Sequence, residues 1–321
     1  FFSWRWCLGV NLPIAIIAAL LAIKFVHESK APGDRSYDIP GVISATVGLF
    51  TLVYGFNRAA THGWGNSTTL ALFAISGLFL VGFVVIERMV PNPLLPLRVV
   101  TERNRGGSYL GSMVVGAGLF AMFLFLGLYL QVILGYSPLR SGFAFLPFTA
   151  GIIIFAGIAS QLMPKIGPKP LMIPGLVIAA SGMFLLMRLT PTSSYVSHVL
   201  PSLLIISSGM ALCFIPLSTT SLHNVGTHDA GVASAMMNTS QQIGGSLGTA
   251  LLNTVAATAT SNYIASHAQM GKTVQVYGMV HGFTVAFQVG AIFLLVGALI
   301  LLTFVNVGKD AVVENEGVVL H

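Results

Sequence analysis

Apolar runs of about 20 residues recur along the chain, each separated from the next by a short stretch rich in Pro, Gly, Asn and Ser. That is the length a helix needs to cross a bilayer, and such punctuation joins antiparallel neighbours. The pattern predicts nine spans, at 8–26, 38–57, 68–87, 108–134, 141–163, 170–188, 198–222, 231–258 and 284–306. The alternating segments of a β-barrel are absent. From Val307 onward, Lys309, Asp310, Glu314 and Glu316 read as a solvated tail. Two stretches break the rhythm. Ile86 to Gly107, apolar and then basic, reads as a segment lying along the membrane surface, and Ala259 to Gly282 reads as a polar loop.

The eighth run is different in kind. Gly231 to Thr254 is long enough to span, yet it is loaded with amides, hydroxyls and glycines. At helical spacing Asn238, Gln242, Ser246, Thr249 and Asn253 share one stripe. Gly244 and Gly248 form a GxxxG pair beside it, which lets another helix come close. Uncharged polar groups in lipid need partners, so this face should point into a bundle or a watered cavity. Two readings stay open, a cavity wall and helix–helix glue.

Composition fixes the class. Hydrophobic residues make up 55% of the chain, charged residues 7%, and mean hydropathy is +0.86. A soluble domain carries about 25% charged residues, so this is an all-α, polytopic membrane protein. The net charge of +6 does not indicate nucleic-acid binding, because the basic residues are scattered through short loops. Alternating the loops between two sides puts Lys24, Lys30, Arg35, Arg88, Arg98, Arg103, Arg105, Lys165, Lys169 and Lys309 on one side. Only Arg5, Arg58, Arg140, Arg188 and Lys272 fall on the other. The first side is therefore expected to be cytoplasmic, with the C-terminal tail, and Trp4, Trp6 and Trp64 at the outer interface. Cys7 and Cys213 show no disulfide or metal-ligand spacing. The opening FFSWRW is not a signal peptide. An odd number of spans beginning outside leads us to expect further spans upstream, in a longer protein.

Three separated stretches then resemble the fourteen-helix drug:proton antiporters of the major facilitator superfamily. Ser3-Trp4-Arg5-Trp6 with Asn11-Leu12-Pro13-Ile14 is similar to the start of that family's sixth helix. Tyr129-Leu130-Gln131 through Gly135-Tyr136-Ser137-Pro138-Leu139, Ser141-Gly142 and Leu146-Pro147 resembles its ninth-to-tenth helix hairpin. Ala230 to Ser234, Asn238-Thr239, Gln242 to Gly245 and Gly248 resemble its thirteenth helix. The resemblance implies that the N-terminal five helices are missing. It makes 1–26 the end of the N-terminal half, 27–107 a two-helix insertion with the cytoplasmic surface segment, 108–306 a complete C-terminal six-helix half and 307–321 the tail. Gly157, Lys165, Gly167 and Lys169 resemble the superfamily's gating loop, but Pro164 stands where the family has Asp, so that carboxylate is unavailable.

A proton-driven exporter needs an embedded group that takes up and releases a proton. Glu28, Asp34, Asp38, Glu87, Glu102, Asp229, Asp310, Glu314 and Glu316 all map to loops, tails or helix ends. Asp229 and Asp38 are expected to be helix N-caps, and the coupling acids are expected in the absent helices. No histidine falls mid-membrane; His198 and His281 begin spans, and His223 and His228 lie in a loop. What remains is a substrate pathway, for which Gln131, Asn238, Gln242 and Gln288 are the candidates. Phe120, Met122, Phe123, Phe125, Phe143 and Phe145 would offer apolar surface to planar ligands. No enzyme motif survives: in Met270-Gly271-Lys272-Thr273, Ser266 stands where a phosphate loop needs Gly. Asn66-Ser67-Thr68 fits a glycosylation sequon, a pattern short enough to arise by chance.

The expected whole is a multi-pass cell-membrane transporter, not an enzyme, exporting lipophilic drugs or antibiotics in exchange for protons. Its partners are the small substrate, protons and the bilayer, without cofactor, metal or nucleic acid, and it works as a full-length monomer. The alternatives are another cargo on the same fold, such as a siderophore or peptide-like compound, or a truncated fragment that does not transport.

Overall fold

A computed structural model describes residues 9, 11–25, 38–91, 93–226 and 229–308. It divides into two units, Phe1–Arg35 and Ser36–His321. The first contains helix α1, Asn11–Phe25, none of whose residues is buried. The motif at Ser3 to Trp6, Cys7, Glu28, Lys30, Asp34, Arg35, His228 and the tail from Lys309 lie outside the described residues.

The second unit is entirely helical among its described elements. Helix α2, Ile39–His62, starts where Asp38 accepts the Gly41 N–H at 2.8 Å, as expected of a cap, and stops at Gly63 with φ +90°. Helix α3, Ser67–Met89, is capped by Asn66, whose Oδ1 accepts the Thr68 N–H at 3.0 Å. The two form an antiparallel hairpin in which the Ser76 hydroxyl donates to the Gly48 carbonyl at 2.9 Å. A short helix α4, Leu97–Thr101, leads into α5, Arg103–Leu128, which widens into a π-turn over Tyr129–Ile133. Next come α6, Pro138–Ala144, and α7, Leu146–Ile166. They split one expected span at Phe145, because Pro147 has no N–H to continue the ladder. Helix α8 is Lys169–Leu186, and a π-turn at Tyr195–Val199 opens α9, Leu200–Ser221. Helices α10, Ala230–Ser266, and α11, Val274–Phe304, complete the unit.

Seven of these segments are long and apolar enough to cross a membrane: α2, α3, α5 with its π-turn, α6 with α7, α8, α9 with its π-turn, and α11. Helix α1 stands at the first expected span, with 15 residues. Helix α10 stands at the eighth and is 37 residues long; its polar stripe dilutes the hydropathy. One expectation fails outright. The stretch 259–282 is not a loop: α10 runs on to Ser266, a 3-10 turn covers Ala268–Thr273, and α11 begins at Val274. No proline or glycine interrupts α10 there. Tyr263 stacks on His267 at 4.2 Å and meets His281 at 5.0 Å, and Gly282 lets α11 press its backbone onto Ala256 and Thr260. A hydropathy window sees where lipid ends, not where a helix ends.

One continuous core joins α5, α7, α8, α9 and α11, with Met122, Phe125, Leu176, Met183, Ile206, Met210 and Phe287 each almost fully buried. Leu78, Val81, Ile153 and Leu299 instead point outward and exposed. Apolar inside and out is the signature of a bundle solvated by lipid. Residues that loop alternation assigns to the same side meet at the same rim. Arg98 binds Asp229 at 2.9 Å, Arg105 reaches the carbonyls of His223 and Asn224 at 3.2 Å, and Arg103 reaches that of Thr303 at 2.6 Å. At the opposite rim Tyr129 donates to Thr190 at 2.8 Å, Tyr195 to Ala144 at 2.8 Å, and Trp64 to the Thr254 hydroxyl at 3.3 Å.

Candidate functional site

The site is built on α10. On one face of that helix glycines replace side chains wherever α5 crosses. A Cβ on Gly244 would strike the Met113 carbonyl, and one on Gly248 would press into Ala117. The reciprocal glycine, Gly116 on α5, lies against the Gln241 carbonyl. Backbones this close fix the rotation of α10, and thereby the direction in which its polar stripe faces.

That stripe looks into a cleft of about 350 Å³ lined by Ser246, Thr249 and Asn253 from α10, Phe120 and Leu124 from α5, and Val53, Asn57 and Thr61 from α2. The Phe120 ring lies over Gly245, where any side chain would collide with it. The arrangement is an apolar wall with hydrogen-bonding groups on two opposing helices. Such a lining holds an amphiphilic small molecule by burying its apolar surface and orienting its few polar atoms. It offers no acid–base pair or nucleophile with a base beside it. Among the described residues no group of three His, Cys, Asp or Glu could hold a metal.

The residues singled out from sequence divide. Ser246, Thr249 and Asn253 line the cleft. Asn238 and Gln242 are exposed on the same stripe, two turns and one turn nearer the helix start, and Asn238 donates to the Ser234 carbonyl at 3.0 Å. Gln131 is exposed on the π-turn after α5, and Gln288 is exposed on α11; neither lines the cleft. Of the aromatic set only Phe120 does. Phe125 and Met122 are core residues, 1% and 0% exposed, and Phe123 packs on Phe145 and Phe148 with centroids 5.3 and 5.2 Å apart. Phe143 is exposed on α6. Apolar periodicity alone could not separate these roles.

Of the four candidate gating residues, Gly167 forms the turn between α7 and α8, Lys165 and Lys169 flank it, and Gly157 lies mid-way along α7. Gly167 ends α7 with φ +85°, its N–H bound to the Met163 carbonyl at 2.9 Å, so the tight turn is present. Lys165 is exposed, Lys169 half-buried at the start of α8, and Gly157 exposed on α7. Among the described residues neither lysine forms an ion pair. Asp229 departs from its expected role. Its side chain makes no capping hydrogen bond to α10 and instead accepts from Arg98, a charge-assisted contact that outcompetes a neutral cap.

Two features escaped the sequence reading. Asn57 and Thr61 stand one turn apart on α2, a polar pair that was legible but shorter than the stripe of α10. Arg105 was read as one of many loop cations. It is 9% exposed and donates from all three nitrogens, to Arg98, Val99, His223 and Asn224 carbonyls at 3.0, 2.9, 3.2 and 3.2 Å.

Comparison with known proteins bears on what such a cleft is for. The family model described as Major Facilitator Superfamily matches residues 1–249. The chain is 42% identical over 300 residues to the puromycin resistance protein of Streptomyces alboniger, covering 92% of this chain and 59% of that protein. It is 36% identical over 274 residues to the cephamycin export protein of Amycolatopsis lactamdurans, covering 83% and 56%. The chain thus spans less than two thirds of the length of these curated relatives. Among solved structures, a bacterial homologue of the human lysosomal transporter Spinster, inward-facing and occupied, superposes with a TM-score of 0.54 over 80% of this chain and 64% of that one. At 14% identity that likeness concerns the fold alone.

Proposed function

The chain belongs to the major facilitator superfamily, and from that membership we propose that it forms the C-terminal part of a secondary transporter that exports lipophilic drugs or antibiotics in exchange for protons. The observation that carries the proposal is the cleft: apolar walls, with the Ser246, Thr249 and Asn253 stripe facing Asn57 and Thr61. The named roles of the puromycin and cephamycin relatives support the same cargo class. In this reading Asn238 and Gln242 extend the polar stripe toward the rim that carries Arg98 and Arg105. Gln131 faces the pathway at the other end of the bundle and Gln288 near its middle. The α7–α8 turn, with Gly157, Lys165, Gly167 and Lys169, works as a gate through its tight turn and charge. The rim rich in Arg and Lys faces the cytoplasm, together with the C-terminus, in the cell membrane. Protons enter through acids on helices outside this chain, and the full-length protein acts as a monomer.

Inside-out vesicles containing the full-length protein test this. Puromycin, cephamycin and lipophilic cations should accumulate under an imposed proton gradient, and a protonophore should abolish the accumulation. Uptake that ignores the gradient, or a panel in which only siderophores or peptides move, would overturn it. Within that assay Asn253→Leu should weaken a hydrogen-bonding substrate by about tenfold, about 1.4 kcal/mol. A purely apolar cation should be unaffected or favoured. A uniform loss for every substrate would point to helix packing instead.

A further inference from the structure

A second cleft, of about 550 Å³, lies between the same two helices, α2 and α10, with α3 on its third side. Leu49 and Leu52 from α2, Leu80 and Phe83 from α3, and Met236 and Ile243 from α10 line it, and Thr239 brings its one hydrogen-bonding side chain. The two linings adjoin on both helices: Leu52 is followed by Val53 on α2, and Ile243 by Gly245 on α10. Both helices pass the clefts in the same order, so the clefts lie end to end. Contacts to α10 bracket them. Trp64 Nε1 donates to the Thr254 hydroxyl at 3.3 Å beyond the first cleft, and Arg98 binds Asp229 at 2.9 Å beyond the second. From Ala45 to Thr61 the lined stretch of α2 is about 24 Å long. Polarity is segregated along that length. Asn57, Thr61, Ser246, Thr249 and Asn253 all belong to the first cleft, the second is almost wholly hydrocarbon, and neither lining contains a charged side chain.

We propose that the two clefts form one elongated groove for a neutral amphiphile with an unbranched tail. Its amide or hydroxyl head sits among Asn57, Thr61 and Asn253, and its tail runs along Leu52, Leu49 and Met236. A tail that arrives from lipid gains little from hydrophobicity itself. Selection comes from head and tail being satisfied together at a fixed spacing, which a compact drug occupying the first cleft alone does not exploit. A phospholipid fits less well, because its phosphate meets no cation in the lining. The proposal rests on the export reading for the purpose of the first cleft and extends its cargo to tailed molecules.

Photolabelling of the full-length protein in lipid nanodiscs reads the position of the tail. The probes are N-dodecyl lactamide with a diazirine at the tail tip, its N-ethyl counterpart, and a phosphatidylcholine with the same diazirine. The dodecyl probe should mark peptides carrying Leu49 or Met236, and the ethyl probe those carrying Asn57 or Asn253. Ala235 is exposed and lines the second cleft, so Ala235→Phe should lower dodecyl labelling relative to ethyl labelling about tenfold. Ala45→Leu fills the cleft from the opposite helix and serves if Ala235→Phe fails to accumulate. Asn253→Leu should weaken both lactamides alike. Dodecyl labels confined to the outward-facing Leu78 and Ile153, or a dodecyl-to-ethyl ratio indifferent to Ala235→Phe, would overturn the proposal. So would marking of the second cleft by the phosphatidylcholine alone, which would give the groove to membrane lipid. The expected labelling in a protein that moves no drug in vesicles would uphold the groove and defeat the export reading, so the two fail separately.

Discussion

Replacing Gly244 by alanine is expected to destabilise the folded protein strongly. The added methyl would overlap the carbonyl of Met113, a backbone atom of α5 that cannot rotate away as a side-chain tip could. Relief requires α5 and α10 to separate along their whole crossing, which also opens the Gly248–Ala117 and Gly116–Gln241 contacts. Overpacking of this kind costs about 3 kcal/mol at the upper end of the usual range, a large fraction of the 5–15 kcal/mol that typically holds a fold. Gly77→Ala on α3 is the control. Its Cβ would meet nothing within 4 Å, and alanine should stabilise that helix by up to about 1 kcal/mol. Fluorescence-detected size exclusion of the full-length protein after heating should show a reduced main peak for Gly244→Ala and an intact one for Gly77→Ala. Equal peaks would mean that the two helices are not held at backbone contact.

The second large effect belongs to Arg105. Its guanidinium ties the α4 segment to the turn that follows α9, through the carbonyls of His223 and Asn224. Asn224 turns the chain there with φ +53°. Arg105→Met leaves four carbonyls in buried and part-buried contacts without this donor and should cost about 2–3 kcal/mol. Arg105→Lys should recover little, because a compact ammonium cannot fork to carbonyls on two separate segments. Glu102 supports the node. Burial pushes its carboxyl up, but the N–H groups of Arg105 and Asn104 and the Arg105 charge together hold it below the ordinary glutamate range. Its capping contribution is therefore present above the ordinary carboxyl pKa and is lost as pH falls through the lowered one. Arg105→Met should remove part of that acid sensitivity along with the stability. Thermal unfolding at neutral and acidic pH checks both; an unchanged midpoint at neutral pH would show that the node is ornamental to the fold.

Much of this architecture is written in the sequence, and what is missing follows from what a linear pattern encodes. Hydropathy located the helices because lipid solvates them, and Pro, Gly and Asn marked most of their joints. It misread 259–282 because α10 and α11 outrun their apolar portions, held by the Tyr263 stack and by glycine contacts at Gly282. The GxxxG pair pointed to a close crossing without naming α5 as the partner. Loop position likewise made Asp38, Glu87 and Arg105 look solvated. The fold buries all three, since the chain after α3 turns back over the ends of its own helices. For the candidate pathway, the α10 stripe was legible as a stripe. Its lower half and the opposing Asn57 and Thr61 became a site only when α2 was seen to pack against it.

That opposition is the centre of the account, and cysteine accessibility at Asn253 tests it most directly. In the full-length protein with every cysteine other than the fully buried Cys213 replaced by serine, Asn253→Cys is exposed to a water-soluble maleimide with and without transported drug. Labelling is expected without drug and marked slowing when drug is bound, if the side chain lines the cleft that the drug occupies. Labelling at the same rate with and without drug, or no labelling in either state, would contradict it and leave the α10 stripe as helix–helix glue.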